Sequence, residues 1–430
     1  MNICVLGLWH LGSVTAAGLA ALGHRVIGFD FDEATVANLS KGIAPIAEPG
    51  LEELIERGLS SGNLRFSSSA DDAKDVDVLW VTYDTPVDDD DNVDANFVMG
   101  QIERALREMR TDALVLISSQ LPVGSVRRLE QAVTLNCGAP APRVAYSPEN
   151  LRLGNAVHDF LHPNRIVVGV RSNRDKELLR GLLSSITESL EWMSVESAEM
   201  TKHAINAFFA TSVAFANEIA SICESVGADA KEVERGLKTE IRIGSRAYLS
   251  PGAAFAGGTL ARDITLLNQV ARGHGMVTPL LSSVLPSNEA HGRWVQQKLR
   301  ALFADLSLTT VAVWGLTYKP GTDTLRRSMS VELCDWLIRE GATVRVHDPM
   351  VKNLPDHWGG AVQRYDDLID AVQGAHALVV ATEWPVYRSI STDQLLQCSD
   401  RLVVLDANRF LSNLTATAGR LRYFAVGMPS

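Results

Sequence analysis

The chain has 430 residues, of which 46% are hydrophobic and 21% charged, and its 40 basic and 51 acidic side chains give a formal net charge of −11. The length exceeds what one ordinary core supports, so we expect two or three domains with the composition of a soluble globular protein. The acidic balance argues against non-specific binding to nucleic acid, although a local basic pocket for a phosphate is compatible with it.

The cysteines argue against a disulfide framework or a zinc site, because they are scattered and form no CxxC pair. This usage fits a reducing cytosol, so we expect a cytoplasmic protein without a metal. An acidic run at 88–91 is interpreted as a solvated loop, and the alternative, a metal site, would need ligands from elsewhere. The N-terminus has no basic region and no long apolar segment, so we expect neither a signal peptide nor a membrane span. The five cysteines are Cys4, Cys137, Cys223, Cys334 and Cys398.

In the first half, short β-branched runs alternate with amphipathic stretches, which is typical of βαβ units on a parallel sheet. The sequence predicts a first helix over 13–22. The predicted strands are 1–6, 25–29, 76–82, 113–118, 143–146 and 165–170.

The period of the apolar residues changes near residue 197. Residues 198–226 contain no Gly or Pro and carry apolar side chains at helical spacing, which predicts one long helix of about eight turns. Beyond residue 300 the strand-like runs return, with a helix over 330–339, and indicate a second α/β unit. The predicted strands there are 309–315, 342–347, 377–382 and 401–406.

A glycine turn follows the first strand and opens a helix. Gly7-Leu8-Trp9-His10-Leu11-Gly12 stands in the context of the GxGxxG turn, which points a helix N-terminus at a pyrophosphate. Asp30, which ends the second strand, is placed to bind the adenosine ribose hydroxyls and favours NAD over NADP. Trp9 replaces the middle glycine, and three interpretations stay open: a domain that has lost its cofactor, an indole that points away, or an indole that reshapes the pocket.

Nine further stretches, spread in order over nearly the whole chain, carry a resemblance to one family. That family is UDP-glucose/GDP-mannose dehydrogenase, the nucleotide-sugar dehydrogenases, and the sequence is identified as a member of it. The stretches are 38–51 (NLSKGIAPIAEPGL), 84–86 (DTP), 119–124 (SQLPVG), 147–154 (SPENLRLG), 163–169 (PNRIVVG), 202–208 (KHAINAF), 242–244 (RIG), 255–263 (FAGGTLARD) and 315–320 (GLTYKP).

The resemblance implies an α/β fold with two Rossmann-like doubly wound domains joined by a helical central domain. It implies an NAD-binding domain over 1–195, a central dimerisation domain over 196–298 and a nucleotide-sugar-binding domain over 299–430. The implied reaction oxidises the primary alcohol of a UDP- or GDP-linked sugar to a carboxylate while two NAD are reduced. It further implies a cytoplasmic homodimer, paired through the central helix, that serves polysaccharide synthesis.

The resemblance also implies the roles of individual residues, and none of them is a metal ligand. The catalytic set is Lys202, Asn206, Asp263, Thr259 and Glu149. The cofactor set is Gly7, Trp9, His10, Leu11, Gly12, Asp30, Thr85, Pro86, Gln120 and Arg326. The substrate set is Glu149, Asn150, Leu151, Lys202, Arg242, Tyr248, Gly252, Gly257 and Lys319.

Plainer roles stay open for several of these residues. Lys202 would otherwise be a surface lysine, Asp263 a carboxylate near a helix N-terminus, and Glu149 a loop carboxylate. Lys319 and Arg326 would otherwise be surface charges.

The nucleophilic cysteine of the family is missing from 255–263, where its place falls on Leu260 or Thr259. The second oxidation needs a nucleophile that makes the aldehyde carbon tetrahedral again, and a thiolate does this by forming a thioester. Thr259 is a poor substitute without a neighbouring base, and its plainer role is packing or hydrogen bonding.

Departures from the family pattern gather at cofactor and reaction positions, which favours a reshaped site over a dead one. We therefore predict an NAD-dependent oxidoreductase that is altered or limited to a two-electron oxidation. In the altered form, a water activated by Asp263 would hydrate the aldehyde and allow full oxidation without the cysteine. A non-catalytic nucleotide-sugar-binding protein is the alternative, and a structural partner of another dehydrogenase is a third possibility. The departures are Trp9, Gln120, Asn150, Leu153, Thr259 and Arg262.

Overall fold

The computed structural model describes residues 1–86, 93–107, 113–137, 142–149, 151–256, 258–414 and 420–429. The acidic run at 88–91 and the predicted site residues Asn150 and Gly257 lie outside these ranges. The chain divides into two compact units, Met1–Ala204 and Ile205–Ser430. The three predicted domain boundaries stay predictions.

Within its described residues, the first unit is built on an eight-stranded sheet of order β3-β2-β1-β4-β5-β6-β7-β8. The strands from β3 to β6 are parallel, in the order of a doubly wound fold. β7 pairs with β6 in the antiparallel sense, so the predicted parallel arrangement does not extend to the last two strands. The strands are β1 (Asn2–Leu6), β2 (Arg25–Phe29), β3 (Leu64–Ser67), β4 (Val78–Val81), β5 (Leu114–Ile117), β6 (Arg143–Tyr146), β7 (Ile166–Gly169) and β8 (Leu190–Met193).

The side chains of this sheet supply a core on each face. Ile3 and Val5 of β1 point into one apolar cluster, and Cys4 and Leu6 point into the other, as the alternation along a strand requires. The central strands read as continuous apolar runs because helices cover both faces. The helices are α1 (His10–Ala21), α2 (Glu33–Leu39), α3 (Leu51–Ser61), α4 (Ala95–Leu106), α5 (Ser125–Cys137), α6 (Ala156–Leu161) and α7 (Asn173–Leu183).

The predicted long helix is confirmed as α8 (Val195–Val226), a helix of 32 residues that begins in the first unit and continues in the second. By length and by a mean hydropathy of 1.2 over 18 residues, α8 is apolar enough to cross a membrane. Core helices of soluble proteins pass the same test, and 44% of that window is buried inside the protein. The helix is therefore weak support for a membrane span.

The second unit continues with helices and then forms a six-stranded, all-parallel sheet of order β11-β10-β9-β12-β13-β14 in the residues described. This is again the doubly wound order, so the predicted pair of Rossmann-like sheets with a helical segment between them in the chain is confirmed. The elements are α9 (Ala230–Thr239), α10 (Thr259–Gly273), α11 (Pro279–Gly292), α12 (Trp294–Leu302), β9 (Thr310–Trp314), α13 (Met329–Arg339), β10 (Thr343–His347), β11 (Val362–Arg364), α14 (Leu368–Val372), β12 (Ala377–Val380), α15 (Thr392–Cys398), β13 (Leu402–Asp406) and β14 (Leu421–Phe424).

Candidate functional site

Two glycines close the turn between β1 and α1. Gly7 has a φ of 95°, and a Cβ atom placed on it would lie 2.7 Å from Tyr83 Cγ. A Cβ atom on Gly12 would overlap the carbonyl oxygen of Gly7, so no larger residue fits there. This close approach brings the N-terminus of α1 to the carboxyl end of β1, where doubly wound folds bind the pyrophosphate of a dinucleotide.

Trp9 leaves this helix terminus open. It is the N-cap residue of α1 and is 52% exposed, so its ring lies in solvent rather than in the turn. Its carbonyl oxygen accepts hydrogen bonds from the N–H and Oγ of Ser13, at 2.9 and 2.7 Å. An indole donates but cannot accept a hydrogen bond, so it does not cap the first-turn N–H groups of His10, Leu11 and Gly12.

Asp30 stands beside the same turn, directly after β2. Its Oδ2 accepts a hydrogen bond from the N–H of Leu8 at 2.7 Å, and its Oδ1 accepts one from the N–H of Asp32 at 3.1 Å. These contacts fix a half-buried carboxylate where the ribose hydroxyls of an adenosine would lie and where a 2′-phosphate would be repelled. The glycine cradle, the uncapped helix and Asp30 together fit NAD.

The loops after β4 and β5 meet at this edge. Thr82 Oγ1 donates to the carbonyl oxygen of Gly7 at 2.8 Å, and Thr85 Oγ1 donates to that of Gln120 at 2.7 Å. The structure thus brings together Thr85 and Gln120, two residues of the predicted cofactor set, whereas Pro86 next to them is exposed.

His10 joins the turn to a buried carboxylate. Its Nε2 lies 3.0 Å from Glu48 Oε2, and the same carboxylate accepts hydrogen bonds of 2.8 Å from the N–H groups of Gly154 and Ala156. Glu48 therefore satisfies the start of α6 and positions the first residue of α1 at once. Glu48 belongs to the family-like stretch 38–51, but nothing in that stretch predicts this role.

Asp84 and Glu149 follow β4 and β6, at the same edge of the sheet. Burial raises the pKa of Asp84, the charge of His10 opposes that shift, and the carboxylate of Glu149 reinforces it. Asp84 is exposed to water and yet has enough protein around it to be desolvated. Glu149 Oε2 accepts a hydrogen bond from the N–H of Leu151 at 2.7 Å, and its carbonyl oxygen accepts one from Lys202 Nζ at 2.9 Å.

α8 holds the loop that follows β5. The carboxylate of Glu199, which is fully buried, accepts hydrogen bonds from the N–H groups of Gly124 and Val126 at 2.7 and 2.9 Å. His203 Nε2 lies 3.0 Å from the carbonyl oxygen of Leu121. Sequence reasoning assigned no role to Glu199, although its spacing of three residues from Lys202 puts both near one face of the helix.

In the second unit, Asn206 and Asp263 form a buried pair. The Nδ2 of Asn206 donates to Asp263 Oδ2 at 2.5 Å, and the two residues are 7% and 1% exposed. Burying a carboxylate costs free energy unless polar partners compensate it. This pair unites two residues of the predicted catalytic set that lie 57 positions apart in the chain.

The two positions proposed for the missing cysteine differ in environment. Thr259 is the exposed first residue of α10, and its Oγ1 lies 3.4 Å from Arg262 Nη2. Leu260 is half-buried and packs against a small apolar cluster. Neither position therefore presents a reactive nucleophile. The cluster is Ala207, Ala210, Ala214, Ile264 and Val284.

None of the four cysteines whose side chains are described supplies the missing thiol. Cys4, Cys223, Cys334 and Cys398 are all free and buried. Burial raises the pKa of Cys4 to about 12 and also raises the pKa values of Cys334 and Cys398. A thiol in an apolar core stays protonated and is a poor nucleophile. The described residues likewise hold no group of three or more His, Cys, Asp or Glu side chains able to bind a metal ion.

Three asparagines hold the loop that precedes α10 in the second unit. Asn217 Oδ1 accepts from the N–H of Gly252 at 3.0 Å, and Asn408 Oδ1 accepts from that of Ala253 at 2.6 Å. Asn288 bonds both the N–H and the carbonyl oxygen of Phe255, at 3.0 and 2.9 Å. The loop is thereby fixed from three separate parts of the chain, none of which sequence reasoning had given a role.

A cavity of 320 Å³ opens beside this loop, at the carboxyl end of the second sheet. Among its lining residues are Lys319, Ser328 at the N-cap of α13, and Glu383. Burial raises the pKa of Glu383, and a hydrogen bond from Asn408 opposes the shift. The cavity thus offers a cation, a helix N-terminus and a carboxylate, which suit a phosphate and hydroxyl groups respectively.

The other predicted substrate residues that the structure describes lie outside this lining. Gly252 is buried, and a Cβ atom there would overlap the side chain of Asn408, which does line the cavity. Tyr248 is exposed and packs its ring 5.1 Å from that of Phe209. Arg242 extends into solvent and pairs with Glu240 at 2.8 Å. Arg326, which was predicted to bind the cofactor, lies in the loop before α13 and is not among the cavity residues described.

The sequence matches family models along most of its length. Residues 1–187 match the NAD binding domain, 196–290 the central domain and 312–413 the UDP binding domain of the UDP-glucose/GDP-mannose dehydrogenase family. The match of the first unit agrees with the geometry of its glycine turn, and NAD is the cofactor, as predicted.

Relatives and solved structures resemble the whole chain. A UDP-glucose 6-dehydrogenase of Rickettsia typhi is 32% identical over 99% of both chains. One of Pseudomonas aeruginosa is 34% identical over 90% of this chain and 89% of its own. The solved UDP-glucose dehydrogenase of Pyrobaculum islandicum superposes with a TM-score of 0.84 at 31% identity, over 99% of this chain and 98% of its own. With a dinucleotide turn, a buried Asn–Asp pair and similarity from end to end, the chain belongs to the UDP-glucose/GDP-mannose dehydrogenase family.

Proposed function

We propose that this protein is an NAD-dependent oxidoreductase that acts on the primary alcohol of a nucleotide sugar, with UDP-glucose as the first candidate. The observation that carries the proposal is the buried pair in which Asn206, on α8, donates to Asp263 at 2.5 Å, since Asp263 ends the segment that resembles the active-site loop. A carboxylate that a polar partner holds in one buried position suits a general base.

The roles follow from the chemistry of each group. Asp263 accepts the alcohol proton through a water, and Asn206 orients that carboxylate. The ammonium of Lys202 stabilises the negative charge on the sugar oxygen. NAD, when bound along the Gly7–Gly12 turn, accepts the hydride.

In the second unit we assign the nucleotide to the cavity. Lys319 and the N-terminus of α13 suit its phosphates. The carboxylate of Glu383 would repel a phosphate, so we assign it to the ribose hydroxyls of the nucleotide. Arg242, which extends into solvent, is free to reach a substrate held by a second copy of the chain.

The second oxidation has no thiol to use among the cysteines described. The thioester route therefore requires a group that neither Leu260 nor Thr259 supplies. The same observation favours the alternative function, a nucleotide-sugar-binding protein without catalysis.

We also propose a homodimer through α8. Large apolar side chains are exposed along this helix at spacings of seven, seven and four residues, which form one stripe. A stripe of this kind suits the same stripe on a second copy. Its members are Phe208, Phe215, Ile222 and Val226.

The test mixes the purified protein with NAD and a panel of UDP- and GDP-sugars and counts the NADH formed per sugar consumed. Any turnover supports the oxidoreductase, and a count of two or one separates full from halted oxidation. Tight sugar binding without NADH across the panel would instead establish the binding protein.

A further inference from the structure

The loop after β4 carries a carboxylate that the roles above leave unused. The described cysteines are buried, Leu260 has no nucleophilic atom, and Thr259 is a poor nucleophile without a neighbouring base. An aldehyde can also become tetrahedral by adding water, and the hydrate then loses its hydride directly. That route needs a base close to the sugar carbon.

The topology brings three titratable side chains to one edge of the first sheet. β1, β4, β5 and β6 are neighbours and end in register, with Leu6 opposite Val81 and Val81 opposite Ile117. His10, Asp84 and Glu149 follow β1, β4 and β6.

Side-chain hydrogen bonds fix these strand ends to one another. Thr82 Oγ1 bonds the Gly7 carbonyl at 2.8 Å, and Ser118 Oγ bonds the Ser147 carbonyl at 2.7 Å. The loop that holds Asp84 is tied down next to it by the 2.7 Å bond of Thr85.

The charges that face Asp84 come from two sides. His10 on α1 lies 3.0 Å from Glu48. Glu149 lies on the loop after β6, and its own carbonyl oxygen accepts a hydrogen bond from Lys202 Nζ at 2.9 Å. Burial and the charge of Glu149 raise the pKa of Asp84, and the charge of His10 opposes this shift. The raised pKa lies closer to neutral pH, where a general base is most effective.

We propose that Asp84 is the general base of a thiol-independent second oxidation, an inference that rests on the proposed function. Water oxygen bonds to the aldehyde carbon while one water proton passes to the Asp84 carboxylate and the former carbonyl oxygen gains a proton from solvent. Asp84 returns its proton to solvent. The hydrate then loses a hydride to a second NAD and a hydroxyl proton to Asp84, which leaves a carboxylic acid that ionises. Per sugar alcohol, two NAD and one water are consumed and two NADH and three protons are formed.

The test is Asp84→Asn, with UDP-glucose as substrate. We expect two NADH per sugar from the natural protein and one from the variant, with aldehyde captured by a hydrazine reagent, because loss of a general base slows its step by about 10²–10⁴-fold. Asp84→Glu should restore part of the second step, and Asp71→Asn, at an exposed carboxylate of the same unit, should keep the count at two.

The pH profile supplies a second readout. The second step of the natural protein should accelerate as the pH rises through the pKa of Asp84, and this limb should be missing in Asp84→Asn. NAD affinity, measured by calorimetry, should be unchanged in the variant and shows that it is folded. A count of one for the natural protein, or of two for Asp84→Asn, overturns the role of Asp84 and leaves the oxidoreductase standing. No NADH from the natural protein despite sugar binding overturns the proposed function itself.

Discussion

At the scale of single residues, the dinucleotide turn depends on the absence of a side chain at two positions. Gly7 requires a positive φ, and Gly12 lies against the carbonyl oxygen of Gly7. Trp9, at the place of the middle glycine of the GxGxxG pattern, is tolerated because its side chain is half exposed to solvent. The departure at Trp9 therefore leaves the turn itself intact.

Gly12→Ala should abolish NAD binding, because the added methyl group would push the N-terminus of α1 away from β1. Calorimetric titration with NAD measures the effect. Gly100→Ala is the matched control: Gly100 lies inside α4 with open space where its Cβ would be, so that variant should bind NAD normally and gain about 0.5–1 kcal/mol of stability. Normal NAD affinity in Gly12→Ala would contradict this account of the turn.

The burial of the cysteines leads to a second prediction at the scale of single residues. Turnover of a Cys137→Ser variant should resist iodoacetamide, because its four remaining thiols are buried and three of them have raised pKa values. Thr259→Cys, which puts a thiol at an exposed position, should be alkylated and shows that the reagent works. Rapid inactivation of Cys137→Ser would mean that a thiol takes part after all.

At the scale of elements, an ion pair sets the position of the asparagine that holds the cavity loop. Arg409 has a φ of 55°, a left-handed conformation that costs a non-glycine residue free energy. Its guanidinium binds both carboxylate oxygens of Asp229 at 2.8 and 3.0 Å, which fixes the neighbouring Asn408. Asp229 is also the N-cap of α9.

Asp229→Asn should lower the free energy of unfolding by about 1–3 kcal/mol, because asparagine still caps the helix but cannot form the ion pair. The hydrogen bond from Arg409 is the main cause that lowers the pKa of Asp229. The stability that it adds is therefore present above the ordinary aspartate pKa of 3.8 and is lost as the pH falls through the lowered value.

Urea unfolding at several pH values measures this difference. The control is Asp32→Asn, at the N-cap of α2, where the carboxylate accepts hydrogen bonds from the N–H of Ala34 and the hydroxyl of Thr35. Because asparagine still caps the helix and no ion pair is lost, this variant should change the free energy of unfolding much less than Asp229→Asn does. Equal costs for the two variants would remove the ion pair from the explanation.

The elements also show how far the sequence alone reaches. β2 and β6 coincide with their predicted ranges, and the other central strands are one to three residues shorter than predicted, because buried parallel strands are continuous apolar runs. The strands at the edges of the sheets were not predicted, since half of their side chains face solvent and break the apolar pattern. They are β3, β8, β11 and β14.

The same limit applies to the candidate site. Motif residues such as Gly7, Gly12 and Asp30 follow from local spacing, whereas Asn217 and Asn408 act through contacts across 35 and 155 residues of chain. No local pattern marks such contacts. The sequence also leaves two positions, Thr259 and Leu260, for the missing cysteine. Only the packing shows that Leu260 is half-buried and Thr259 exposed.

At the scale of the whole molecule, the same hydrogen bond, from the backbone N–H after one strand to an aspartate after the next, occurs in both units. We call this contact the latch of each sheet. Asp30 accepts a hydrogen bond from the N–H of Leu8, and Asp348 accepts one from that of Leu316, both at 2.7 Å. Asp348 is only 3% exposed and is further bonded by Trp384, whereas Asp30 is half-buried. The second sheet therefore cannot offer its latch carboxylate to a ribose as the first one can, and the two sheets must bind their ligands differently.

The proposed dimer is tested on the apolar stripe of α8. Phe215→Lys should shift the sedimentation of the protein from dimer to monomer, because it puts a charge in the middle of the paired faces. Leu308→Lys, at another exposed apolar residue of the same unit, should leave the sedimentation unchanged. A dimer that survives in Phe215→Lys would place the interface elsewhere.

The three asparagines around the cavity loop have a consequence for how the protein responds to acidity. Carboxamides do not titrate, and burial lowers the pKa of His291, which holds the Gly252 carbonyl from the same side, so that it stays neutral. The wall that receives the nucleotide should therefore keep its shape as the pH changes around neutrality.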